Sequence, residues 1–151
     1  MPQNSPHSTG ISAIEALLAT IMPHGVYRIT QMPLWLGDRS MPEPIIAIVE
    51  GSFRDFEKNT PTTATLVVEV SNTTLHFDRS EKLSLYASAN VTEYWILDLN
   101  SRKLEVYRIP DRSVGRYLQK RILSENDFVS PAFAPGCENS IEDLLPVASS
   151  D

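Results

Sequence analysis

Apolar positions recur along this chain with two periods, and the switches between them predict its elements. From Ser12 to Met22, Ile14, Leu17, Leu18 and Ile21 keep helical spacing, and Pro23, His24 and Gly25 end the run. A strand is expected from Val26 to Leu36, with Pro33 at a bulge or edge position, before Gly37 and Asp38 open a loop. From Ile45 to Val49 the residues are apolar without alternation, as in a strand covered on both faces. Phe53 to Thr63 is a polar excursion with room for a helical turn. Thr65 to Val70 then alternates, with Thr65, Val67, Glu69 and Ser71 on one face and Leu66, Val68 and Val70 on the other.

The next helix is expected to start at Asp78, read as its N-cap, with Glu81 completing a capping-box-like pair. At 100° per residue, Leu85, Tyr86 and Ala89 share a face with Lys82 at its centre, so the lysine is expected to point inward. A strand at Glu93 to Leu97 follows. Lys103 to Ile109 and Arg116 to Leu123 then form a hairpin around Asp111 to Gly115, and a short helical segment lies near Ile141 to Leu145. A helix-bearing crossover between the third and fourth strands implies an α/β (α+β) architecture, a mixed β-sheet flanked by helices. Met1 to Gly10 reads as a disordered arm, and residues 11–151 as a single domain.

Composition narrows the function. A net charge of −6 and a pI near 5.0 lack the broad basic footprint of a dedicated nucleic-acid binder, but leave open an enzyme that grips phosphate through a bound cation. No apolar run approaches the ~20 residues of a membrane span, so a cytoplasmic protein without membrane contact is expected. Cys137 is the single cysteine and cannot form an internal disulfide.

Lys82 and Glu69 form the leading candidate pair. An acid on a buried strand and a lysine on the neighbouring helix both occupy places where charge is costly, which points either to a reactive site or to a structural ion pair. Glu69 could ligate a divalent cation through oxygen, and Lys82 could stabilise charge on a phosphate. Tyr86, one turn beyond Lys82, could hydrogen-bond into the same pocket. Ser71, with Asn72 and Thr73, could line it, while Asp78 is better explained by capping and His76 by a loop.

The strings Pro42-Glu43-Pro44, Val67-Val68-Glu69-Val70-Ser71, Asp78-Arg79-Ser80-Glu81-Lys82, Tyr86 and Glu93-Tyr94-Trp95-Ile96-Leu97-Asp98 resemble the Uma-type endonuclease family, domain of unknown function 820, of the PD-(D/E)XK nuclease superfamily. The resemblance runs from about Ile14 to Leu145. It implies a restriction-endonuclease-like fold with an α-β-β-β-α-β core, extended here by the C-terminal hairpin. It also implies a Mg²⁺- or Mn²⁺-dependent endonuclease acting on DNA or other nucleic acid, with Glu69 as a metal-binding acid. Lys82 is then the catalytic lysine, moved onto the helix from the position Ser71 occupies. Where the family reads Pro-Glu-Pro-Asp, this chain has Ile45, which cannot ligate a hard cation. Glu43, two residues earlier and of the same parity, is the candidate substitute. The alternative is a catalytically degenerate nuclease-fold binding or assembly module. A homodimer through the strand from Arg116 to Leu123 is compatible with either.

Overall fold

Every residue of β3 (Leu66–Ser71) and β4 (Glu93–Asp98) is buried, because these strands form the middle of a sheet covered on both faces. In the computed structural model, which describes residues 5–37 and 41–147, six strands run in chain order across one mixed sheet. The others are β1 (Val26–Thr30), β2 (Ile46–Glu50), β5 (Lys103–Asp111) and β6 (Arg116–Leu123). Only β3 and β4 pair in parallel, with Glu69 opposite Ile96 and Ser71 opposite Asp98; the other neighbours are antiparallel. The segment between β3 and β4 is helical, as a parallel pairing requires of its crossover. It runs through α2 (Leu75–Phe77), a π turn (Asp78–Lys82) and α3 (Leu83–Ser88).

Period-2 alternation sorts the core into two layers. Ile46, Ile48, Leu66, Val68, Trp95, Leu97, Leu104 and Val106 face α1 (Pro6–Ile21) and the C-terminal Ile141 and Leu144. Ala47, Val49, Val67, Tyr94, Ile96 and Tyr107 pack with Tyr86 of α3 and with Leu34. The mixed sheet flanked by helices expected from the pattern is therefore present, including the C-terminal hairpin. A short β7 (Phe128–Val129) and β8 (Asn139–Ser140) pair separately, and a 3₁₀ turn follows over Ile141–Leu144. Among the described residues no helix is long and apolar enough to cross a membrane.

Three expectations need correction. First, α1 begins at Pro6, not near Ser12. Ser5 caps it by accepting from the Ser8 amide at 3.2 Å, and Pro6 fits the first turn, where its missing N–H costs nothing. Of the expected arm, Met1 to Asn4 lies outside the described residues, while Gly10 is buried against Val70, Leu97 and Leu99, where a Cβ would come within 3.2 Å of two side chains. Second, β1 ends at Thr30. Gln31 takes a left-handed φ of 51°, which turns the chain away and lets Leu34 bury itself. The expected loop at Asp38 lies outside the described residues.

Third, Asp78 caps no helix. The helical run already starts at Leu75, and Asp78 has αR geometry with its amide bonded to the Thr74 carbonyl at 2.9 Å. Of the expected face of Leu85, Tyr86 and Ala89, only Tyr86 is fully buried; Leu85 and Ala89 are partly buried, and Ala87 and the partly buried Leu83 join Tyr86 against the core. One wider turn rotates everything after it relative to what precedes it, which a uniform 100° reading cannot register.

Candidate functional site

Glu69 holds the centre of the site because its parity on β3 aims it at α3. Both of its carboxylate oxygens are engaged. Oε1 accepts the Ile45 amide at 3.1 Å, and Oε2 accepts Lys82 Nζ at 2.7 Å and the Tyr86 hydroxyl at 3.0 Å. Lys82 points inward as expected, with its side chain 25% exposed against 3% for Glu69. Burial raises the Glu69 carboxyl above its ordinary value, although the charge and hydrogen bond of Lys82 pull the other way. Burial and the neighbouring Glu69 also raise the Tyr86 hydroxyl, which keeps it protonated as a donor.

Asp78 is the residue the capping argument hid. It is 2% exposed, its Oδ2 accepts from Thr74 Oγ1 at 2.8 Å, and its Oδ1 lies 3.6 Å from Lys82 Nζ. Lys82 thus sits between two buried carboxylates one helical turn and one strand apart. The π turn delivers Asp78 to this position, and the buried Tyr94 hydroxyl donates to the Asp78 carbonyl at 2.9 Å. Tyr94→Phe is expected to lower stability by about 1–3 kcal/mol, because it leaves a buried carbonyl without that partner. Urea unfolding measures this, and an unchanged midpoint would show that the carbonyl needs no such support.

A second ionic group lies on the same face of the sheet. Glu105 of β5, 1% exposed, takes a forked contact from Arg79, including Nε at 2.8 Å, and a bond from the Tyr107 hydroxyl at 2.5 Å. Ser71 is fully buried, and its hydroxyl has no partner among the described residues. It stands two residues beyond Glu69 with the same parity.

Ile45 and Glu43 do not complete the site as expected. Ile45 contributes its backbone N–H to Glu69, while its side chain packs with the α1-side core. Glu43 is exposed. Among the described residues no group of three or more His, Cys, Asp and Glu side chains could hold a metal ion. The donor chemistry agrees. Both Glu69 oxygens are taken by N–H and O–H donors, and an ammonium group lies between the two acids where a cation would need them free. With Lys82 held between Glu69 and Asp78, this arrangement does not fit a divalent metal.

The family model of Uma2, described as “Putative restriction endonuclease”, matches residues 1–148. No curated protein shows a significant match. Among solved structures, the chain is similar to one described as a “putative nuclease belonging to DUF820” from Anabaena variabilis ATCC 29413. That match has a TM-score of 0.73 and 18% identity, covering 95% of this chain and 82% of the other. At this identity the structural likeness speaks for the fold alone.

Proposed function

We propose, given that this chain belongs to the Uma2 family of proteins described as “Putative restriction endonuclease”, that it is a nuclease-fold module which keeps the family's connection to nucleic acid and does not cleave with Mg²⁺ or Mn²⁺. The observation that carries this reading is Lys82 Nζ, held at 2.7 Å from Glu69 and 3.6 Å from Asp78. An internal ammonium neutralises the carboxylates that a metal-dependent phosphodiesterase would leave open, and Ile45 supplies no third acid.

Exposed cationic groups at the rim, Arg79 and the accessible part of Lys82, offer contacts to phosphate oxygens. With a net charge of −6, such binding is weak and salt-sensitive. A labelled DNA duplex is therefore expected to bind in EDTA, to lose affinity as salt rises, and to remain uncut in Mn²⁺. Mn²⁺-dependent cleavage that disappears in Glu69→Ala would overturn the reading.

Asp78 favours a second reading. Two buried carboxylates and a lysine within one cluster are the minimum parts of a cleavage centre, so the chain would be an active endonuclease once Lys82 releases them. The same cleavage assay separates the two readings.

A further inference from the structure

We infer, resting on the nucleic-acid reading above, that the tip of the β5–β6 hairpin docks into a groove of a nucleic-acid duplex, with Arg112 and Arg116 on the flanking phosphates. Charge is spread unevenly along the chain. Residues 103–123 hold six of its thirteen lysines and arginines and two of its nineteen acids, so the hairpin is positive by four while the remainder is negative by ten. Of the two acids, Glu105 is buried and forked by Arg79, and Asp111 turns its carboxylate onto the Ser113 amide at 3.0 Å. Lys103, Arg112, Arg116, Lys120 and Arg121 are exposed, and among the described residues none of them forms an ion pair. Exposed cations gathered without acids are the footprint of a polyanionic partner.

The tip projects from the sheet as a two-stranded ribbon. β4 pairs with β5 as far as Arg108, and beyond it Pro110 and Asp111 pair with Tyr117 and Arg116. One side of the ribbon is braced on the helical crossover. A Cβ on Gly115 would come within 2.6 Å of Ser84 Oγ, and the Tyr117 hydroxyl donates to the Val91 carbonyl at 2.7 Å. The rest is open to solvent, with Ile109, Val114 and Leu118 52%, 60% and 69% exposed and Arg112, Ser113 and Gln119 exposed beside them.

Such a ribbon fits the ~12 Å major groove of a duplex, where cations reach the phosphate walls and a glutamine or an apolar side chain reaches base edges. Ile109 adds an independent sign. It takes a left-handed φ of 62°, an outlier for a β-branched residue, and its exposure leaves little burial to offset that strain. Strained residues of this kind cluster at ligand contacts. None of the exposed side chains of the ribbon is aromatic, whereas an unstacked single strand is held on aromatic rings.

Fluorescence anisotropy with two short DNA duplexes of unrelated sequence, titrated with salt in EDTA, tests this. Arg112→Gln and Arg116→Gln are each expected to lower the slope of log K against log salt by about 1 and to weaken both sequences alike. Lys103→Gln removes the same charge from the far end of β5, roughly 27 Å from Asp111, and is expected to leave the slope as it is. All three residues are exposed, so circular dichroism of each variant should match the native chain. An equal loss in Lys103→Gln would mean that net charge alone sets binding, and overturns the proposal. Duplex binding that survives unchanged in both arginine variants overturns it while leaving the nucleic-acid reading intact. A native chain that binds no duplex at about 50 mM salt removes the reading and the proposal together. Tighter binding to a single strand than to the duplex, or binding to phosphatidylserine vesicles in place of the duplex, assigns the tip to another ligand and overturns the proposal as well.

Discussion

Lys82→Met is expected to lose about 3–5 kcal/mol of stability at pH 8 and much less at pH 5. Removing the lysine leaves Glu69 almost fully buried, with only the Ile45 amide and the Tyr86 hydroxyl beside it. Neutral donors compensate a buried charge poorly, so the carboxyl responds by taking a proton. In the native protein Glu69 already titrates above its ordinary value, and the ion pair with Lys82 is what limits that rise. Without Lys82 the folded-state value climbs further.

The sign of the pH effect follows from linkage. A carboxyl whose folded value lies above its unfolded value binds more protons when folded, so its contribution is full at pH below the unfolded value and is lost as pH rises through the folded value. The slope can reach about 1.4 kcal/mol per pH unit for one group. The variant should therefore gain stability relative to the native chain as pH falls from 8 to 5. Urea unfolding at both pH values reads this directly, and an equal loss at the two would show that the lysine acts through packing. Glu69→Gln in the Lys82→Met background should recover much of the loss at pH 8, because the side chain then carries no charge, its amide oxygen still accepts from Ile45, and its NH2 group can donate to the Tyr86 hydroxyl turned to accept.

Lys82 was legible in the sequence because a charge inside an apolar helical stripe is out of place wherever the helix packs. Glu69 was legible for the same reason within an unbroken apolar strand. Their partner Asp78 was not. Its pattern, an acid three residues before Glu81, matches a capping signal, and only the π turn that follows α2 shows that the helix had begun earlier. The α1 start was readable as Ser5 before Pro6, but the polar composition of the first ten residues outweighed that local signal. The end of β1 was harder, since a left-handed Gln31 has no glycine to announce it. Ile45 stands where the resemblance expects an acid, and its side chain packs with the opposite core layer, which residue parity alone does not reveal just outside the strand.

Glu93 was missed as a charged core residue, and it motivates a second large effect. Arg108→Met is expected to cost about 3–5 kcal/mol and to loosen the segment around Ser130 to Ala132. Glu93 is fully buried on the α1 side of the sheet, where its carboxylate accepts from Trp95 Nε1 at 2.8 Å, the Ala132 amide at 2.8 Å and Arg108 Nε at 2.9 Å. Arg108 spans two structures at once, since its terminal nitrogen also donates to the Ser130 carbonyl at 2.5 Å. The carboxylate and the arginine together therefore fasten the C-terminal segment to β4 and β5. In the methionine variant Glu93 keeps two neutral donors and loses its counter-charge, while the Ser130 carbonyl loses its donor. Amide exchange should accelerate at Ala132 more than in β3, and the unfolding midpoint should fall. Arg108→Lys should restore only part of the loss, because an ammonium group on a flexible stem reaches one acceptor where the guanidinium fork reaches both. Full recovery by lysine would mean that charge alone holds the segment, and unchanged exchange at Ala132 in Arg108→Met would detach the segment from this pair altogether.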